Sequence, residues 1–371
     1  MADILSGRDM AYSEAASGSL SLSRGERIGW WVAACLASTL MTGLQITATA
    51  PFKLASFERL IQFQANEPFQ CRVLVPALAA GLQHLAPLGT TLIFAAIEWL
   101  FWLLLIVVAH RALVSCHIGC SELARRMLAL TILVPMGVQL LVPDLHIKSG
   151  AGWVDGLLEL GQWRIWPLFY YPYDLPAAVF TLGLVLLLLR LRRAPSRRDL
   201  AVFALIFVLA TLNRETTIFL LPCMVLLLWR QWPPGRVVQL LISLVVLFLA
   251  IELPLYWLFG DLPNPNRRIM ATQYETHLLE NLGFFTSPFY TAWFLTRFAG
   301  GLALIVLFWW RWVGGPLRLV LIGYALPLFL FGLWVGRLPE HRIFAEIVPL
   351  VWLSALYAIH ARLEPSNAIR G

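Results

Sequence analysis

The chain has 371 residues, of which 59% are hydrophobic and only 13% charged. Soluble domains carry about 25% charged residues, so a mean hydropathy of +0.74 excludes an ordinary soluble fold and points to a polytopic membrane protein. The net charge of +7 is spread over short loops, with no basic block of the kind that binds nucleic acid.

Residues 1–27 are polar and rich in Ser, Gly and Ala, with no apolar core. They do not read as a cleaved signal peptide. The expectation is a mobile cytoplasmic tail ending in Arg24-Gly-Glu-Arg27, and a second short tail over residues 362–371. Between them, residues 28–361 form the transmembrane domain. The first span is expected over Ile28–Ala50. Pro51–Gly89 then reads as a long external loop with one or two interfacial helices, closing on the short apolar stretch Cys71–Leu88. Further spans are expected over Thr90–Ala109, Met127–Pro143, Leu175–Leu189, Leu200–Leu212, Ile218–Trp229, Val237–Phe259, Tyr290–Trp310, Leu319–Val335 and Ile343–His360. Spans of roughly 17–25 apolar residues are the usual length, and some of these are shorter.

Charge sets the topology. Arg111–Arg126, Arg190–Arg198, Arg230–Arg236 and Arg311–Arg318 are basic connections and belong on the cytoplasmic side by the positive-inside rule. All four fall on one side only if Cys71–Leu88 does not cross. The layout is therefore an all-α membrane protein of about ten spans, with both termini cytoplasmic.

The remaining polar residues then collect on the outer side. The first loop supplies Glu58, Glu67 and Arg72. A second supplies Asp144, His146, Lys148, Asp155 and Glu159, leading into Tyr170–Asp174. Asn213, Arg214 and Glu215 sit at a hairpin tip, where three consecutive polar residues are costly near the bilayer. Arg267, Arg268, Glu275 and His277 follow in a long loop. Arg337, Glu340, His341 and Arg342 stand at the mouth of the last span. Long outer connections usually carry function.

The chemistry open to this set is narrow. There is no Gly-rich phosphate loop and no zinc motif, and five cysteines imply no disulfide framework. An Arg fork pairs bidentately with phosphate and keeps its charge in low dielectric. A neighbouring carboxylate deprotonates an acceptor hydroxyl as general base. Together these suit group transfer from a phosphate-linked donor. Several residues also have plainer readings. Tyr173-Asp174 with Pro176 makes a good helix start. Arg72 reads equally as a snorkelling side chain. Glu346, four residues after Arg342, reads as its intrahelical ion-pair partner.

Four segments carry a resemblance: Phe69–Pro76 closing the first loop, Tyr171-Pro172-Tyr173-Asp174, Asn213-Arg214-Glu215-Thr216, and Glu340–Pro349. In layout the chain resembles bacterial members of the GT-C class of integral membrane glycosyltransferases. That resemblance implies a polyprenyl-phosphate sugar donor, transfer to a glycan or lipid acceptor on the periplasmic side, and an acidic residue of the first external loop as base or metal ligand. Here those acids are Glu67 and Glu58. Arg72, Arg214 and Arg342 would hold phosphate, and Tyr173, Asp174, Asn213, Glu215, Glu340 and His341 would line the substrate site. A divalent metal stays open without a motif for it. Two other readings stand beside this one: a transporter or flippase of a lipid-linked or anionic solute, and a non-catalytic subunit binding lipid phosphate in an envelope assembly.

Overall fold

The computed structural model describes residues 23–67, 69–119, 121–142, 145–147, 163–165, 168–263, 278–279, 281–336, 338 and 340–363. Among these, helix dominates. The long helices are α1 (Arg24–Ala48), α4 (Thr90–Ser115), α5 and α6 (Glu122–Leu130 and Leu133–Leu141), α7 (Asp174–Arg193), α8 (Arg197–Asn213) and α10 (Pro234–Phe259). The C-terminal third holds α11 (Pro288–Arg297), α12 (Leu302–Phe308), α13 (Gly315–Val320), α14 (Leu326–Val335) and α15 (Val348–Leu363). Shorter pieces are α2 (Phe57–Ile61), α3 (Leu74–Leu85) and α9 (Leu220–Leu228).

Seven helical stretches of the described residues are long and apolar enough to cross a membrane: Arg24–Ala48, Thr90–Ser115, Glu122–Leu141, Asp174–Arg193, Pro234–Phe259, Tyr290–Phe308 and Gly315–Val335. The other three expected positions hold the shorter helices α8, Glu215–Leu228 and α15. The protein is thus helical and fits a multi-pass membrane protein. The first helix starts earlier than the composition implies. Ser23 caps it, accepting from the Glu26 amide while the Glu26 carboxylate accepts from the Ser23 amide, so Arg24-Gly-Glu-Arg27 is helical.

The helices alternate in direction, and this sorts the charges. At one end the Trp30 indole donates to the Arg126 carbonyl, Arg193 to the Ser115 carbonyl, and Trp232 to the Leu191 carbonyl. The basic connections therefore meet at one end of the bundle. At the other end, Ala50–Pro51 pairs in parallel with Phe169–Tyr170, joining the end of α1 to the approach to α7. A further short antiparallel pair joins Leu145–Ile147 to Trp163–Ile165. Neither pair was foreseen; strands so short leave no periodic pattern. Helix α3 begins beside Arg72 and leads into Thr90, whose hydroxyl donates to Glu58 at 2.9 Å. Both its ends stay at the end opposite the basic connections, so Cys71–Leu88 does not run the length of the bundle.

Close helix packing depends on glycine at one place in particular. Gly323 lies in a π-helical turn, Leu321–Ala325, against α9. A Cβ there would stand 2.6 Å from the Cys223 Cα, a backbone atom that cannot swing away. Gly323→Ala is expected to lower stability by about 1–3 kcal/mol, read as a fall in thermal unfolding midpoint in detergent. Gly43→Ala, with open space around its Cβ position, serves as the neutral control.

Candidate functional site

The end of the bundle opposite the basic connections holds a network of guanidinium and carboxylate groups drawn from four distant parts of the chain. Asp174 is the first residue of α7 and Arg214 follows the last residue of α8. These helices run antiparallel, and the Asn213 side-chain amide ties them by donating to the Tyr173 carbonyl at 3.0 Å. Arg214 then reaches Asp174 at 3.3 Å and Glu346 at 3.2 Å. All three are deeply buried, with side-chain exposures of 6%, 3% and 2%. Such charges persist away from water only when paired.

Glu346 is the best-connected carboxylate. It also accepts from Thr216 at 2.6 Å, Tyr324 at 2.5 Å and Thr181 at 3.4 Å. Tyr324 comes from the π-helical turn, a feature that often marks functional positions. The expected Arg342–Glu346 intrahelical pair is not formed. His341–Phe344 is a 3₁₀ turn and α15 starts only at Val348, so the four-residue spacing does not superpose the two side chains. Arg342 instead takes Glu340 at 2.7 Å and Asp174 at 3.5 Å.

Above this floor lies a more accessible pair. Arg72 holds Glu215 bidentately, Nε to Oε2 at 3.1 Å and Nη2 to Oε1 at 2.6 Å. Arg72 is only 10% exposed, whereas the Glu215 side chain is 42% exposed. Two tyrosines back the arginines: Arg342 lies 3.4 Å from the Tyr171 ring centre and Arg72 lies 4.5 Å from that of Tyr173. Tyr171 stacks on Phe69 of the first loop at 5.5 Å. Burial works against the Arg342 charge, but Glu340 and then Tyr171 more than offset it, so its guanidinium is held above its usual range. Arg72 is likewise raised well above its range by Glu215, against the effect of burial. Both stay charged at any working pH.

The two first-loop acids part company. Glu58 is exposed and bonded to Thr90. Its carboxyl sits below the usual range because the backbone amide of its own turn and then the Thr90 hydroxyl stabilise the anion. The structure does not bring it to the arginines. Glu67 is buried, and its amide donates to the Pro263 carbonyl at 3.2 Å. Burial pushes the neighbouring Cys71 thiol up to about 11, with the charges of Glu67, Glu215 and Glu252 acting the same way. Glu67 thus lies within electrostatic range of Cys71, the residue before Arg72. The His341 ring stacks on Phe294 at 5.2 Å, and its carbonyl accepts from Gln139.

Among the described residues, three buried polar atoms of this network find no hydrogen-bond partner: the Tyr173 hydroxyl, the Asn213 side-chain oxygen and the Arg214 Nε–H. Buried polar groups are seldom left unsatisfied. An incoming polar ligand would find a donor, an acceptor and a hydroxyl ready. The donor set suits a divalent cation poorly, since Asp174, Glu215, Glu340 and Glu346 each face a guanidinium.

Sequence reasoning brought Arg72, Tyr173, Asp174, Asn213, Arg214, Glu215, Glu340 and Arg342 to one place. It missed Thr181, Thr216 and Tyr324, and it misassigned Glu346. Asp144, Lys148, Asp155, Glu159, Arg267, Arg268, Glu275, His277 and Arg337 lie outside the described residues, and only the backbone of His146 is described. Compared with known proteins, the chain matches no family model and no curated protein by sequence.

Proposed function

We propose that this protein is a membrane glycosyltransferase moving a sugar from a polyprenyl-phosphate donor to a glycan or lipid acceptor. The carrying observation is the one-ended network of three arginines and four carboxylates, backed by tyrosines and containing unsatisfied buried polar atoms. On the positive-inside rule and the resemblance, this end is read as facing the periplasm of a bacterial inner membrane. The resemblance to the GT-C class points the same way.

In this reading Glu67 takes the proton of the acceptor hydroxyl. The freed oxygen attacks the anomeric carbon, and the bond from that carbon to the donor phosphate breaks. Arg72 and Arg342 receive the negative charge on the departing polyprenyl phosphate, a preorganised stabilisation of the kind that dominates such reactions. Glu215 and Glu340 are placed to accept from sugar hydroxyls. The transport alternative gains less support. Glu98 and Glu252, carboxylates within apolar runs that a transport path would use, both lie by this network: Glu98 accepts from Tyr170 at 2.9 Å, and Glu252 lies in electrostatic range of Glu215 and Arg72.

Purified protein in nanodiscs is expected to transfer sugar from a polyprenyl-phosphate donor. Glu67→Gln should reduce turnover by about 10²–10⁴-fold, the usual contribution of a general base, while donor binding is retained. Donor binding without turnover in the parent protein, unchanged by the substitution, would defeat the proposal.

A further inference from the structure

At the opposite end of the bundle a cleft of about 610 Å³ lies between the ends of α12 and α15, lined by Leu304, Ile305, Phe308, Trp309, Arg311 and Arg362. Helix α15 joins the two regions, starting at Val348 just after Glu346 and ending at Leu363. Its 16 residues span roughly 24 Å at 1.5 Å per residue. That is close to the thickness of a bilayer core, so the cleft sits at the other interface from the candidate site.

The two arginines differ sharply from those of the network. Among the described residues, every network guanidinium faces a carboxylate, whereas Arg311 and Arg362 are exposed and paired with none. Each is instead steadied by an indole: Arg362 lies 4.5 Å from the Trp309 ring centre and Arg311 lies 5.5 Å from that of Trp312. Phe308 is 80% exposed beside them. Two cations that meet no carboxylate among the described residues, over an apolar wall and at the level where tryptophan collects, match a molecule with an anionic head and a hydrocarbon tail.

We propose that this cleft binds one anionic phospholipid of the leaflet opposite the candidate site. Its phosphodiester sits between Arg311 and Arg362, and one acyl chain lies along Leu304, Ile305 and Phe308. A zwitterionic lipid offers the same chain but brings its own cation, so it competes poorly for the guanidiniums.

The test is native mass spectrometry of the full-length protein in detergent, titrated with phosphatidylglycerol, phosphatidylcholine of the same chains, or glycerol phosphate. One phosphatidylglycerol per chain should be retained preferentially. Arg311→Gln/Arg362→Gln should weaken its binding roughly thirtyfold, from about 1 kcal/mol per arginine at an interface. Arg197→Gln/Arg198→Gln, exposed at the same end but outside the cleft, should leave binding unchanged. Equal retention of phosphatidylcholine by the parent protein would overturn the proposal without any variant. So would a double variant that binds as the parent does, a matching loss in the Arg197/Arg198 control, or equally strong retention of glycerol phosphate, which would leave a plain anion site.

Discussion

Replacing Arg214 with Met is expected to cost about 3–5 kcal/mol of unfolding free energy, the usual consequence of removing one partner from a buried ion pair. The substitution keeps the length and most of the volume of the side chain, so packing changes little. What changes is the charge between Asp174 and Glu346. Arg214 stands 3.3 Å from one and 3.2 Å from the other, and neither carboxylate has meaningful access to water. Asp174 keeps Arg342 at 3.5 Å, but Glu346 is left with only three hydroxyl donors, Thr181, Thr216 and Tyr324. Arg214→Met/Glu346→Leu should recover much of the loss, because a neutral apolar pair is often no worse than a buried ion pair. Denaturation in detergent, comparing the two single variants with the double, reads the coupling directly. A single-variant loss below about 1 kcal/mol would mean that water reaches these carboxylates and that the network is a surface feature.

The parts of the structure that follow from local chemistry were legible. Apolar runs between arginine-rich turns place the long helices, because chain length and lipid thickness leave little choice. The same charge rule kept Cys71–Leu88 on one side, and α3 does begin and end at the same end of the bundle. Asn213-Arg214-Glu215 stood out because charged residues so close to apolar spans need partners. Which partners they take was not legible. The pairing of Glu346 with Arg342 assumed an α-helix across residues 342–346, and the 3₁₀ turn at His341–Phe344 removes that geometry. Tyr324 reaches Glu346 only through a π-helical turn, which an apolar run does not announce. Thr181 and Thr216 are ordinary polar residues until tertiary contact places them on one carboxylate. Glu58 and Glu67 looked equivalent in the first loop. Helix α2 carries Glu58 to Thr90 at the surface, while the chain beyond it turns Glu67 inward toward Cys71.

Glu215→Gln is expected to tighten binding of a polyprenyl phosphate about tenfold, and Arg72→Gln to weaken it about a hundredfold, given charge-assisted bonds worth roughly 1.5–3 kcal/mol. Occupancy of the Arg72 fork sets both effects. The Arg72 fork already holds a planar anion, the Glu215 carboxylate, through both Nε and Nη2. A phosphate oxygen pair has the same geometry and competes for the same two donors. Glu215 is the exposed member of the pair and so the one free to leave, whereas Arg72 is backed by the Tyr173 ring and stays. Gln at 215 keeps the shape but gives up the charge, so the fork is released to the ligand. Arg72→Lys should fall between the extremes, since an ammonium keeps the charge without the fork. Titration of nanodisc-embedded protein with polyprenyl phosphate, followed by tryptophan fluorescence, measures all three. If Glu215→Gln binds more weakly than the parent, Glu215 itself contacts the ligand, and the phosphate is held at Arg342 instead.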